Sequence, residues 1–168
     1  MKTKKVLIVT ILIGLVTSAG LKAQESYSNT IGVRLGETSG LTYKHISPTN
    51  RAFEAILGYS PDALSITTLA EQYLHTGLSG FSLYFGLGGH VALLTNKYYY
   101  HFYENGRYCI VHHEGSVGVG ADGMLGVEFK VPVLPFAFSL ELKPYMELNT
   151  NKTFYVNLDP GLGLKFAF

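Results

Sequence analysis

The sequence predicts an all-β chain that folds as an eight-stranded antiparallel up-and-down barrel and spans a membrane. Apolar residues alternate with polar residues and glycines through most of the chain after residue 28, and this two-residue period is that of a β-strand. Only 15% of the residues are charged and 47% are hydrophobic, whereas average globular chains have about 25% charged residues. Beyond the N-terminal segment no run of about 18 apolar residues occurs, which excludes transmembrane helices.

The N-terminal segment has the parts of a cleaved signal peptide. Lysines form a positive region, and an apolar core of eleven residues spans 6–16, too short to cross a bilayer as a helix. Small residues follow, and we expect cleavage after Ala23 or, alternatively, after Gly20. The chain therefore divides into a signal peptide, 1–23, and one barrel domain, 24–168.

Charge and cysteine content exclude two classes of protein. Four of the thirteen basic residues precede residue 24, which leaves nine bases against twelve acids. A mildly acidic chain without a concentrated basic patch gives no reason to expect nucleic acid as a partner. Cys109 is the only cysteine, so no internal disulfide can form.

Eight segments alternate well enough to be predicted as strands: 29–37, 40–46, 51–60, 64–75, 79–93, 115–130, 136–148 and 154–168. In chain order their apolar faces hold Ile31, Val33 and Leu35; Leu41 and Tyr43; Phe53, Ala55, Leu57 and Tyr59; Leu64 and Ile66; Phe81, Leu83, Phe85 and Leu87; Val117, Val119, Leu125, Val127 and Phe129; Phe136, Phe138, Leu140 and Leu142; and the even-numbered residues of the last segment. The fourth segment is the least regular, and we expect a bulge near 67–70.

The connections between these segments fit a membrane barrel. An even strand number allows closure, which removes the sheet edges that cannot remain unpaired in lipid. With both termini in the periplasm, the periplasmic turns 47–50, 76–78 and 131–135 are short. The outer connection 94–114 is long, and this asymmetry is usual in such barrels.

The polar face is expected to line the lumen. A soluble carrier barrel would expose that face to water, but a surface so rich in glycine and poor in charge would be poorly soluble. An eight-stranded barrel is just wide enough for side chains to fill it, so we expect a filled lumen. The predicted lumenal charge network is Arg34, Lys44, Glu54, Glu71, His90, Asp122, Glu128, Glu141, Lys143 and Lys165.

Several segments, taken in order, resemble a known family: GLTYKH at 40–45, SLYFGLGGHV at 82–91, GVGADGMLGVEFKV at 118–131, FSLELKPYMEL at 138–148 and GLGLKFAF at 161–168. Together they resemble the small eight-stranded outer-membrane β-barrel proteins common in Bacteroidota. The resemblance implies an outer-membrane location, surrounding lipid and no established reaction.

The C-terminal end strengthens this resemblance. Phe166 and the terminal Phe168 resemble the signal that the barrel-assembly machinery reads in outer-membrane barrels. That machinery is therefore an expected partner during biogenesis.

The long connection is dense in aromatic residues. The Asn105-Gly106 pair favours a tight hairpin turn, so the connection is expected to form a hairpin that prolongs the strands on either side. Its tyrosines could belong to an interfacial aromatic girdle or to a recognition surface for an unidentified extracellular ligand or partner. The candidate recognition residues are Tyr98, Tyr99, Tyr100, Phe102, Tyr103, Arg107 and Tyr108.

Metal binding and catalysis are not expected. The metal-ligating residue types His101, Cys109, His112 and His113 share the long connection, but their spacing matches no zinc pattern. Ser82, His90 and Asp122 share the lumenal face, yet nothing in their spacing places them in contact as a catalytic set would require. We therefore expect no cofactor, no metal and no enzyme.

The sequence thus favours an integral outer-membrane barrel that acts as a structural or surface-interaction protein through its extracellular loops. Three alternatives remain: a narrow channel or solute-uptake barrel, an accessory of envelope secretion machinery, and a lipid-modifying outer-membrane enzyme.

Overall fold

The computed structural model describes residues 27–61, 63–94, 99–104, 107–112, 116–150 and 154–168. The predicted signal peptide and its cleavage site lie outside these residues. The described residues form ten strands: β1 (Asn29–Gly36), β2 (Ser39–Ile46), β3 (Arg51–Ser60), β4 (Ala63–His75), β5 (Phe81–Leu94), β6 (Tyr99–Glu104), β7 (Arg107–His112), β8 (Ser116–Lys130), β9 (Phe136–Asn149) and β10 (Phe154–Ala167). Among them no helix is long and apolar enough to span a membrane.

Eight of these strands close into a barrel in the order β1-β10-β9-β8-β5-β4-β3-β2. All neighbours are antiparallel, and the barrel closes where β1 pairs with β10, from Thr30 opposite Ala167 to Gly36 opposite Gly161. The predicted closed eight-stranded antiparallel barrel is therefore confirmed. The predicted ends of its strands agree with the structure to within two residues.

The expected bulge in β4 is wrong. β4 keeps one unbroken register with β3 and another with β5, so that Thr67 lies opposite Ile56 on one side and His90 on the other. The sequence looks irregular because Leu69 and Tyr73 are buried on the lumenal side. Apolar residues on the inner face disturb the alternation of polarity while the strand itself remains regular.

The two ends of the barrel differ. At the end that we call the terminal end, Asn29 and Phe168 exchange backbone hydrogen bonds of 3.2 and 2.9 Å. The turns at this end are tight: Asn50 (φ 60°) and Gly77 (φ 75°) adopt left-handed backbone conformations, which these two residue types tolerate well. At the opposite end, the loop end, one connection is long: it leaves β5 and contains β6 and β7, whereas the others, including residues 150–153 between β9 and β10, have four residues or fewer.

The distribution of side chains is the reverse of that in a water-soluble protein. Large apolar side chains cover the outside, where Leu87 is 76% exposed and Leu140 is 61% exposed. Charged side chains fill the inside, where Lys44, Glu54 and Lys165 are all 0% exposed. A small apolar cluster lies among them: Ala52, Ile56, Leu69, Tyr73, Tyr84 and Met124.

Candidate functional site: the charged lumen

One continuous chain of ion pairs runs through the lumen. Eleven residues form it, which in order are Glu71, Lys44, Glu54, Lys165, Glu141, Arg34, Asp159, Lys143, Asp122, His90 and Glu147. Acidic and basic side chains alternate along this series, and each neighbouring pair lies between 2.7 and 3.8 Å apart. We call it the charge chain. Such alternation gives nearly every buried charge an opposite charge on each side, which is what burial of charge requires.

The charge chain begins beside two stacked aromatic rings. Lys44 Nζ lies 3.2 Å from Glu54 and 2.7 Å from Glu71, and it sits 3.9 Å from the centre of the Tyr84 ring. Tyr73 stacks on Tyr84 with ring centres 5.1 Å apart. The ammonium group is thus held by two carboxylates and by the negative face of an aromatic ring.

Arg34 forms the centre of the charge chain. Its Nε donates to Glu141 at 3.0 Å and its Nη1 donates to Asp159 at 2.9 Å. Two backbone carbonyls, of Thr38 at 2.7 Å and of Asp159 at 3.0 Å, accept its remaining bonds. Gly161 allows this arrangement, because a Cβ there would lie only 2.7 Å from the guanidinium carbon.

His90 lies toward the loop end of the charge chain. Its Nδ1 is 2.7 Å from Asp122 of β8, and its Nε2 is 3.1 Å from Glu147 of β9. The ring also meets Tyr145 edge-on, with ring centres 5.6 Å apart. One imidazole therefore links three neighbouring strands.

A second cluster lies in the lumen toward the terminal end. The Tyr27 hydroxyl donates to one oxygen of Glu128, and the Tyr73 hydroxyl donates to the other at 3.2 Å. Lys130 Nζ sits 4.4 Å from the centre of the Tyr27 ring. Burial and then the charge of Glu128 raise the pKa of the Tyr27 hydroxyl, so it stays protonated and can donate.

The structure buries the ten residues of the predicted lumenal network, with His90 the most exposed at 7%. Nine of them belong to the charge chain, and Glu128 joins the cluster at the terminal end. Sequence reasoning missed Asp159 and Glu147. Asp159 lies an even number of residues from Lys165 on β10, and Glu147 lies an even number from Glu141 on β9. A consistent use of the alternation would therefore have placed both side chains on the lumenal face.

The His90–Asp122 contact does not extend to Ser82. Ser82 lies opposite Glu128 near the terminal end, eight residues before His90 and hence about 26 Å away along an extended strand. Carboxylates occupy both ring nitrogens of His90. The ring is therefore not placed to activate a hydroxyl nucleophile.

Within the long connection, β6 and β7 pair as antiparallel neighbours, while the predicted Asn105-Gly106 turn lies outside the described residues. β6 pairs with β7 from Tyr99 opposite His112 to Glu104 opposite Arg107. Among the described residues these two strands form a separate sheet, so the expected prolongation of the flanking barrel strands is not part of the described ladder. Most candidate recognition residues lie on this hairpin: Tyr99, Tyr100, Phe102 and Tyr103 on β6, with Arg107 and Tyr108 on β7.

Two of the residues named from the sequence, Tyr98 and His113, lie outside the described residues. Within the described part of the chain, no group of three or more metal-ligating side chains could hold a metal ion. At the C-terminus, Phe166 packs between Phe136, at 5.7 Å, and Phe168, at 6.4 Å between ring centres.

Fold and lumen together define a closed eight-stranded barrel with an apolar exterior and an interior filled by paired charges. Among solved structures, the chain is similar to the N-terminal β-barrel domain of Pseudomonas aeruginosa OprF, with a TM-score of 0.52 and 12% sequence identity. The similarity covers 86% of this chain and 100% of that domain. At this identity it is a similarity of fold. No protein-family model and no curated protein matches the sequence.

Proposed function

We propose that this chain is an integral outer-membrane barrel with a filled lumen, of the small eight-stranded kind common in Bacteroidota. It acts as a structural or surface-interaction protein and catalyses no reaction. The loop end faces the exterior of the cell, where the β6–β7 hairpin offers its aromatic residues to an unidentified ligand or partner. The terminal end faces the periplasm, and the predicted signal peptide directs export.

The exposed apolar surface is the observation that most supports this proposal. Side chains such as Ile66 at 61%, Leu87 at 76% and Leu162 at 59% face outward from the barrel wall. A water-soluble domain would lose solubility with an apolar surface that surrounds it on every side. Hydrocarbon is the medium in which this surface is stable, and a closed barrel leaves no sheet edge unpaired there.

Three hydrogen-bonded side chains on the outer face lie where we expect the periplasmic edge of the apolar surface. The Tyr43 hydroxyl and His45 Nδ1 both lie 2.9 Å from the side-chain oxygen of Asn29. All three residues are on the outer face near the terminal end. Amphipathic rings at this height are typical of the membrane–water interface.

The charge chain favours a structural barrel over a channel. Its cations and anions lie within contact distance of one another, and the cluster of Tyr27, Tyr73 and Glu128 lies toward the terminal end. Among the described residues, a lumen occupied in this way supports a filled interior rather than a path for solutes. Outer-membrane lipid, and the assembly machinery during biogenesis, are the partners that this proposal requires.

Membrane fractionation combined with conductance measurements tests the proposal. We expect the protein in the outer-membrane fraction, extractable only with detergent, and we expect no stepwise conductance after its insertion into planar bilayers. A water-soluble protein in the periplasmic fraction would overturn the membrane assignment. Regular conductance steps would instead support the channel alternative.

Removing the terminal aromatic residue should impair assembly. In the barrel, Phe168 bonds to Asn29 through its backbone and stacks on Phe166 through its ring. For Phe168→Ser we expect export to the periplasm as in the wild type but a reduced yield of heat-modifiable barrel in the outer membrane. Phe154→Ser, at the other end of the same strand and 61% exposed, is the matched control and should assemble normally. Equal yields of the two variants would contradict a C-terminal assembly signal.

A further inference from the structure

We propose that His90 is a pH-sensitive latch that fastens three strands, β5, β8 and β9, at the loop end of the barrel. The inference rests on the proposed function in one respect, that the loop end faces the exterior. It adds a regulated element at that end, which controls how firmly the β6–β7 hairpin is held.

The latch lies where it can act on the loops. His90 is near the end of β5, from which the long connection departs, and Asp122 is on β8, to which that connection returns. Glu147 is near the end of β9, just before the connection to β10. The two contacts of the His90 ring, 2.7 Å to Asp122 and 3.1 Å to Glu147, thus fasten the two strands that bear the long connection to each other and to β9.

Both contacts require a ring that has two protons. An ionised carboxylate only accepts hydrogen bonds, so each ring nitrogen must donate one. The imidazolium can satisfy Asp122 and Glu147 together. A neutral ring can donate to only one of them, and the lone pair on its other nitrogen then faces a carboxylate.

The other groups that face the ring come from β8, β9 and β4. From β8, Gly120 faces the ring, and a Cβ there would lie 2.3 Å from His90 Cε1. From β9, Tyr145 meets the ring edge-on, and Lys143 is 3.6 Å from Asp122 and 3.8 Å from Asp159 of β10. From β4, the residue opposite in register is the uncharged Thr67.

The direction of the response follows from this geometry. The latch is closed at pH values below the pKa of the ring and opens as the pH rises through that value. The contact with Glu147 should open first, because it is longer and because the side chain of Glu147 is 10% exposed whereas that of Asp122 is 0% exposed. The ends of β5, β8 and β9 then separate more readily, and the hairpin above them gains freedom.

Hydrogen–deuterium exchange of the reconstituted full barrel at pH 5 and pH 9 tests the latch. After correction for the intrinsic effect of pH on exchange, we expect amides of β6, β7 and the end of β9 to lose protection about tenfold or more at pH 9, as expected for loss of a charged hydrogen bond. His90→Gln should show the lower protection at both pH values. His45→Gln, which changes the exposed histidine near the terminal end, should behave as the wild type.

If His90→Gln does not fold, a second variant and a spectroscopic measurement on the wild type test the latch. Glu147→Gln keeps the His90–Asp122 pair, and its amide can accept from the charged ring or donate to the neutral one, so protection of the same peptides should no longer depend on pH. Nitrogen-15 spectra of the His90 ring should show two protonated nitrogens at pH 5 and one at pH 9. A ring with the same number of protons at both pH values, or equal protection in the wild type at both, would overturn the latch. Neither result would affect the outer-membrane assignment, which fractionation tests separately.

Discussion

Replacing Arg34 by methionine is expected to lower the free energy of unfolding by about 3–5 kcal/mol, the usual effect of removing one partner from a buried ion pair. Arg34 is 1% exposed and pairs with both Glu141 and Asp159. Methionine would fill part of the volume but donate nothing. Two carboxylates would lose a cation, and the backbone carbonyls of Thr38 and Asp159 would lose their donor.

Urea unfolding of the barrel in lipid vesicles, followed by tyrosine fluorescence or by gel mobility, measures this loss. Arg34→Lys should fall between the wild type and Arg34→Met, because it keeps the charge but not the planar set of donors. Leu35→Met is the matched control, since Leu35 is the next residue and is 61% exposed on the outside; we expect a change below about 0.5 kcal/mol there. A loss below about 1 kcal/mol in Arg34→Met would show that the charge chain contributes little to stability.

The sequence was sufficient to predict the strands and their faces, because the physical cause lies in neighbouring residues. On the proposed membrane assignment, lipid on one side and a crowded lumen on the other impose opposite polarity on successive positions of a strand. In β10 the odd-numbered Asp159 and Lys165 are buried while the even-numbered Leu158 and Leu164 are exposed. Among the barrel strands, β4 departs from the simple alternation, since Leu69 and Tyr73 are apolar residues on the lumenal side.

The partners within the lumen could not be predicted from the sequence in the same way. Arg34 and Asp159 are 125 positions apart, and His90 and Glu147 are 57 apart. Whether such residues meet depends on the stagger of every strand between them, because the offsets between neighbouring strands accumulate around the barrel. Alternation predicts which face of the sheet a side chain occupies, but it does not predict the position of that side chain along the barrel axis.

The structure also changes what the lumen is expected to tolerate. Alternation alone suggests that a lumenal position such as Ser139 accepts a charge more readily than a lipid-facing one. Ser139 is in fact 5% exposed, and its hydroxyl donates to Glu141 at 2.7 Å. A Cβ on Gly163 would lie only 2.1 Å from that hydroxyl. A long charged side chain at Ser139 would therefore disrupt the charge chain.

A charge on the outer face tests the contact with lipid more cleanly, because no protein side chain has to move. Leu140 is 61% exposed between Leu162 of β10 and Val127 of β8, both of which also face outward. For Leu140→Arg we expect the free energy of unfolding in lipid vesicles to fall by about 2–4 kcal/mol, which is the cost of an arginine near the bilayer midplane.

The control for this variant is an arginine placed outside the apolar band. Val133 lies in the turn between β8 and β9 and is 82% exposed, so Val133→Arg has the same new side chain at a position that water reaches. We expect a change below about 1 kcal/mol there, since the cost falls toward the interface. If the two variants lost equal stability in vesicles, Leu140 would not face hydrocarbon, and the apolar exterior would require another partner than lipid.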